Sequence, residues 1–217
     1  MKKALVIAAF VAALFITEKA QAQLNIHVGY SPEIFSTIPP AHDTISIMFF
    51  HGINVGLGWE FNLPQNFSLT VGAQYRMNLR DVLTHHGQNV PTTPYTSHGP
   101  YREKQHLVDL PILLKYNIHR GEAFTFSPFV GPMLSCGIKA KSTPSTGSNT
   151  QYDWYEGNGI EYHPNRRFNL YAVAGMEFDF IKFSISLGGR YGFLNLSKNT
   201  DETIKAYSFF INFGHSF

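Results

Sequence analysis

The chain has 217 residues, of which 15% are charged and 15% aromatic, and its formal charge is +2. Charge that sparse, against about 25% in an ordinary soluble domain, is a poor covering for a water-bathed surface, while 44% apolar content excludes disorder. The small net charge excludes nucleic acid as a partner, the single Cys136 excludes an internal disulfide, and a mean hydropathy just below zero excludes a bundle of membrane helices.

The chain opens with Met1-Lys2-Lys3, an apolar run from Ala4 to Ile16, and then Ala20-Gln21-Ala22. A basic start, a short apolar stretch and an A-x-A site make residues 1–22 a cleaved secretory signal peptide. The run falls short of the ~20 residues that a spanning helix needs, which argues against the alternative of an N-terminal anchor. No cysteine follows Ala22, so the signal is not that of a lipoprotein. Cleavage leaves residues 23–217 as one domain and removes Lys2, Lys3, Lys19 and Glu18, which brings the net charge to zero.

The rest alternates with period two and almost nowhere with period 3.6, the signature of strands. Ile45, Ile47, Phe49, His51, Ile53, Val55, Leu57, Trp59 and Phe61 alternate with residues that are mostly small or polar, among them Gly52, Gly56 and Gly58. Phe67 to Leu79 and Tyr207 to Phe217 repeat the pattern. Eight strands are expected, at 24–30, 45–61, 67–79, 107–118, 124–137, 168–180, 183–193 and 205–217. The connections alternate in length. Three are tight, at Asn62–Asn66, His119–Ala123 and Ile181-Lys182. Four are long, at 31–44, 81–106, 138–167 and 194–204, and they are rich in Pro, Ser, Thr, Asn, Gly and His. Short turns at one end and long loops at the other are the plan of an all-β, antiparallel, up-and-down transmembrane barrel, with the short turns periplasmic and the long loops extracellular.

Which face looks outward decides between such a barrel and a secreted soluble sandwich. The greasy faces of all eight strands carry no Lys, Arg, Asp or Glu. Aromatics also gather beside the tight turns, as Trp59, Phe61, Phe67, Tyr116, Phe124, Phe178, Phe180 and Phe183, which is the girdle expected at a membrane interface. Lipid is therefore the expected outer partner. Closure follows, because hydrocarbon cannot satisfy an open sheet edge. Pro128 and Pro132 predict a bulge or register shift in strand 124–137, and Pro111 disturbs strand 107–118 less.

Leu107 to Ile118 reads LVDLPILLKYNI, and Ser127 to Gly137 reads SPFVGPMLSCG. With GMEFDF (Gly175 to Phe180), LGGRYGFLNLS (Leu187 to Ser197) and the AQAQ signal end, these stretches resemble the PorT-like outer-membrane β-barrel family common in Bacteroidetes. The resemblance covers nearly the whole mature chain. It implies an eight-stranded barrel of the OmpX/OmpA type in the outer membrane of a Gram-negative cell. It implies no activity, although one branch of the family is associated with protein secretion. Phe217 behind alternating hydrophobics resembles the signal read by the barrel-assembly machinery, departing from it at Asn212 and His215.

Charges on the polar faces predict a lumen network of Glu60, Arg76, Arg80, Asp109, Lys115, Glu177, Asp179 and Arg190. Strand direction puts Glu60, Lys115, Glu177 and Asp179 toward the periplasm and Arg76, Arg80, Asp109 and Arg190 toward the outside. An eight-stranded barrel is just wide enough for side chains to fill, so these charges should pair as a structural plug, the alternative being a narrow channel. His42, His85, His86, His98, His106 and His163 lie in the long-loop half, but their spacing matches no metal-ligand pattern. Asp81, Ser97 and His98 share a loop without being marked as a catalytic unit. Neither a cofactor nor an enzyme is expected, and Cys136 is read as a small lipid-facing hydrophobe. Within loop 138–167, Tyr152, Trp154, Tyr155 and Tyr162 among Ser, Gly and Asn suggest a recognition loop for an envelope or extracellular protein, the alternative being a shield over the barrel mouth.

Overall fold

Residues that alternate over such long stretches form a single antiparallel sheet closed on itself. The computed structural model describes residues 22–38, 46–82, 101–120, 124–144, 152–156, 165–198 and 203–217. Residues 1–21, nearly all of the expected signal peptide, lie outside the described residues. The strands are β1 (Ala22–Tyr30), β2 (Glu33–Ile38), β3 (Ser46–Asn62), β4 (Phe67–Val82), β5 (Tyr101–Tyr116), β6 (His119–Arg120), β7 (Thr125–Pro144), β8 (Tyr152–Asp153), β9 (Phe168–Phe180), β10 (Phe183–Gly192) and β11 (Thr203–Ser216).

The ring closes because β1 and β2 each pair with both β3 and β11. These two segments are one stave. Tyr30 faces Ile53 and Glu33 faces Phe50, so the register runs through unchanged, and Ser31 N still donates to Gly52 O at 2.8 Å. Only Pro32, which has no N–H to give, divides them. With β6 and β8 as two-residue accessories on β7, the ring has eight staves, the number the sequence predicts.

Several strands run further than expected, and the long extensions are at the outer end. Expected loop 31–44 is strand through Ile38, loop 81–106 gives way to β5 from Tyr101, and loop 138–167 gives way to β7 through Pro144. Pro32 and the polar, uneven outer ends of β5 and β7 conceal this continuation in the sequence. The register shift falls between His106 and Leu107 of β5, opposite an extra Ile138 in β7, above Pro128 and Pro132. The prolines interrupt the ladder without shifting it. Pairing of β5 with β7 lapses between Pro111–Met133 and Leu114–Val130, around Pro132, and pairing of β4 with β5 lapses beside Pro111.

The outward face is a belt of exposed Ile, Val and Leu such as Val28, Ile53, Val55, Leu110, Ile112, Val130 and Leu134. Trp59, Tyr116, Phe180 and Phe183 edge it on the tight-turn side. A second edge, which the sequence reading missed, lies toward the long loops: Tyr30 bonds His51 at 2.7 Å, Tyr75 bonds His106, and Tyr191 packs edge-on against Tyr207. A large apolar side chain held in water forgoes about 1.5–3 kcal/mol, so a face built this way is stable against hydrocarbon and costly against solvent. At the tight turns, Gln65 and Asn66 take positive φ (59° and 64°), and so does Ile181 (56°), whose branched side chain fits that conformation poorly.

Candidate functional site

Inside the ring, alternation leaves room by glycine and fills it with polar side chains. A Cβ at Gly56 would lie 2.6 Å from Gln74 Cβ and 2.7 Å from His27 Nε2, so glycine there admits the His27–Gln74 hydrogen bond of 3.2 Å. The eight charges expected in the lumen sit at inward positions of their strands, and they sort into three groups.

The middle group is Arg76, Asp109 and Arg190, joined by Glu33. Arg76 places Nη1 2.7 Å from Glu33 Oε2 and Nε 3.0 Å from Asp109 Oδ2, all fully buried. Asp109 also accepts from Gln74 (2.9 Å) and Ser135 (2.5 Å), and Arg190 Nη1 stands 3.8 Å from it. Glu33 accepts from Tyr171 OH at 2.6 Å and from Asn78 Nδ2 at 2.5 Å. Two anions and two cations thus cancel where water is excluded, the condition under which buried charge is tolerable. Arg190 additionally lies over the Phe210 ring, 4.7 Å from its centroid.

Arg80 separates from that group. It pairs higher up with Glu103 at 3.4 Å and lies 5.6 Å from the centroid of Phe50. Toward the periplasm, Lys115 Nζ reaches Glu60 at 2.7 Å and also Glu177. Asp179 follows Glu177 on the same inward face. A cavity of about 80 Å³ separates this group from the middle one, lined by Thr70, Gln74, Lys115, Glu177, Arg190 and Asn212 among others. Thr70 Oγ1 and Asn212 Oδ1 are buried there without a hydrogen-bond partner.

Above the charges sits an aromatic cap. Phe50 meets Phe35 and Trp154 edge-on, with centroids 5.3 and 5.7 Å away. Trp154 Nε1 donates to Ser142 Oγ at 2.9 Å and Trp154 N to Ala140 O at 3.0 Å. Tyr155 fills the space over Gly137, where a Cβ would come within 1.9 Å of its hydroxyl. Trp154 and Tyr155 are each only 8% exposed, so both pack into the mouth and neither is displayed to a partner. The cause is local. β7 outruns β9, and residues 152–156 fold back to cover its bare edge, which turns both rings inward. The side chain of Tyr152 and the whole of Tyr162 lie outside the described residues.

Glu33, Glu103 and Tyr171 were missed by sequence reasoning. Parity could have found Glu33, since it continues the inward series His27, Gly29 and Ser31. Among the described residues no group of three or more His, Cys, Asp or Glu could hold a metal ion. His42, His85, His86, His98 and His163 lie outside them, as does Ser97. His106 stands on the outer wall against Tyr75, and Asp81 is held by Arg102 at 2.6 Å.

A closed ring with an apolar outer belt and a charge-filled interior defines a small transmembrane β-barrel. The family model described as outer membrane protein beta-barrel domain matches residues 19–201, and the chain belongs to that family. It is an outer-membrane protein. Among solved structures it is similar to Ail, the attachment invasion locus protein of Yersinia pestis, at 15% identity over 90% of this chain and 99% of that one, with TM-score 0.47. Neisserial surface protein A is similar at 11% identity over 88% and 97%, with TM-score 0.49. The outer membrane enzyme PagL is similar at 12% identity over 85% and 97%, with TM-score 0.40. No curated protein matches the sequence.

Proposed function

We propose that this chain is a non-enzymatic barrel that acts from its outer rim, as a structural, surface-interaction or secretion-accessory protein. Residues 1–22 would serve as its leader, and the barrel-assembly machinery would insert it. The observation that carries the reading is the filled lumen. Paired charges and the aromatic cap occupy the interior, which leaves the outer rim and its loops as the surface open to a partner. The PorT-like stretches, LVDLPILLKYNI above all, support the secretion-accessory form of the proposal.

The test is crosslinking in intact cells, comparing the full chain with one whose residues 83–100 are replaced by a short Gly-Ser turn. The trimmed segment avoids β7 and residues 152–156, which the barrel needs. An envelope or surface protein captured by the full chain should be lost from the trimmed one while the barrel still folds. Identical capture by both, or none, overturns the proposal. A narrow ion path is the second reading, favoured by the cavity and its unpartnered polar atoms. It requires discrete conductance in planar bilayers that changes on Glu60→Gln, and a silent bilayer ends it.

A further inference from the structure

Basic side chains on the outer wall gather on one side. Among the described residues, the wall between the two aromatic edges carries no Lys, Arg, Asp or Glu. Just above it, on β5 and β7, stand Arg102, Lys104, His106, Lys139 and Lys141, the densest basic group of this edge. Elsewhere along this edge the wall presents Tyr30, Tyr191 and Tyr207, with the single Lys205 above Tyr207 tied to Phe193 O.

The bulge creates the cluster. Below it, Ser135 and Gly137 point inward, and above it, Ala140 and Ser142 do so. The extra residue therefore turns Ile138 and Lys139 outward together, and both are exposed. Without it, strict alternation would aim Lys139 into the lumen. The shifted register sets His106 opposite Lys139 and Lys104 opposite Lys141. Lys104 and Lys141 are like charges directly opposite each other across the ladder, and they repel. Nearby acids do not match them all. Asp81 is engaged by Arg102, and Asp153 faces Lys141 in the register, while Lys104 and Lys139 have no ion-pair partner among the described residues.

We infer that Lys104 and Lys139 form a binding site for the phosphate-bearing headgroup of an outer-leaflet lipid. The site is amphipathic in the way such a molecule requires. Directly beneath the lysines the same wall exposes Ile138, Leu110 and Leu134, where acyl chains would lie. A soluble polyanion would have use for the charges but none for the apolar strip, which is why the site takes a lipid.

The full chain, folded in detergent micelles, is titrated with bis-phosphorylated lipid A and with the same lipid after phosphatase treatment, and bound lipid is counted by native mass spectrometry. The phosphorylated form should be retained and the dephosphorylated form lost. K104A/K139A should weaken retention roughly thirty-fold, as two lysines near a charged headgroup imply, whereas K182A/K205A should not. The shift in gel mobility between unheated and heated samples verifies folding, and K104Q/K139Q replaces the alanine variant if that one fails to fold. Equal retention of both lipid forms, or equal retention by wild type and the double variant, overturns the inference. So does inorganic pyrophosphate displacing the lipid at equal concentration, because phosphate alone would then suffice.

Discussion

The two ends of the lumen solve the problem of buried charge differently. In the middle and outer part, Glu33, Arg76, Asp109 and Arg190 are matched two against two, and Tyr171, Asn78, Ser135 and Gln74 satisfy the carboxylates. At the periplasmic end a single Lys115 serves Glu60 and Glu177, with Asp179 close by, and those two paired carboxylates retain 16% and 15% exposure. Balance is demanded where water is shut out, and an acidic excess is tolerated where water still reaches. Stability should therefore be concentrated in the upper group.

The sharpest way to break this contrast is Arg76→Met. It leaves Glu33 and Asp109 buried beside one remote arginine and should cost about 3–5 kcal/mol in urea unfolding from lipid vesicles. An unfolding midpoint within error of wild type would show that the upper network does not hold the barrel. Trp154→Ala comes next, at about 3 kcal/mol, because it empties the space between Phe50 and Ser142. Limited proteolysis should then open the segment around residues 152–156 while the staves stay protected. Lys115→Met should cost less, about 2 kcal/mol, since hydrated carboxylates can stand apart. A loss equal to that of Arg76→Met would erase the proposed difference between the two ends.

The smallest expected effect is a pH slope at the mouth. Glu103 lies level with the outward Arg102 and Lys104, beyond the apolar belt, and its inward neighbours are Arg80 and Ser142. Burial pushes its carboxyl up to about 7, against the opposing pull of Arg80 and the Ser142 hydrogen bond. The folded state thus holds that proton more tightly than the unfolded chain, whose value is near 4.5. Its contribution is fullest at acid pH and declines as pH rises toward 7. Glu103→Gln should flatten the dependence of the unfolding midpoint between about pH 4.5 and 7, the span of that shift. An unchanged profile would assign the slope to other groups.

Much of the barrel was legible because membrane strands repeat a simple rule. Ile45 to Phe61 and Tyr207 to Phe217 announce their lipid face residue by residue, and the tight turns fix their direction. The outer half was harder for a physical reason. Beyond the hydrocarbon a strand has no need of alternating apolar residues, so Tyr101 to His106 and Ile138 to Pro144 read as loop although all but the bulged Ile138 are paired. Glu33 was lost behind Pro32, and its partner Arg76 lies 43 positions along the chain. The inward turn of Trp154 and Tyr155 depends on β7 overshooting β9, a length relation that no single segment expresses.

The seam between β1 and β11 sets the order in which the molecule can come into being. Val28 meets Phe213 and Tyr30 meets Ile211, so the first stave waits for nearly the entire polypeptide before its second neighbour arrives. Until then, two rows of amide and carbonyl groups stand bare, and hydrocarbon would punish both. Entry into the bilayer and completion of the circle are consequently one event, and those margins have to be kept from hydrocarbon while the last segment is on its way.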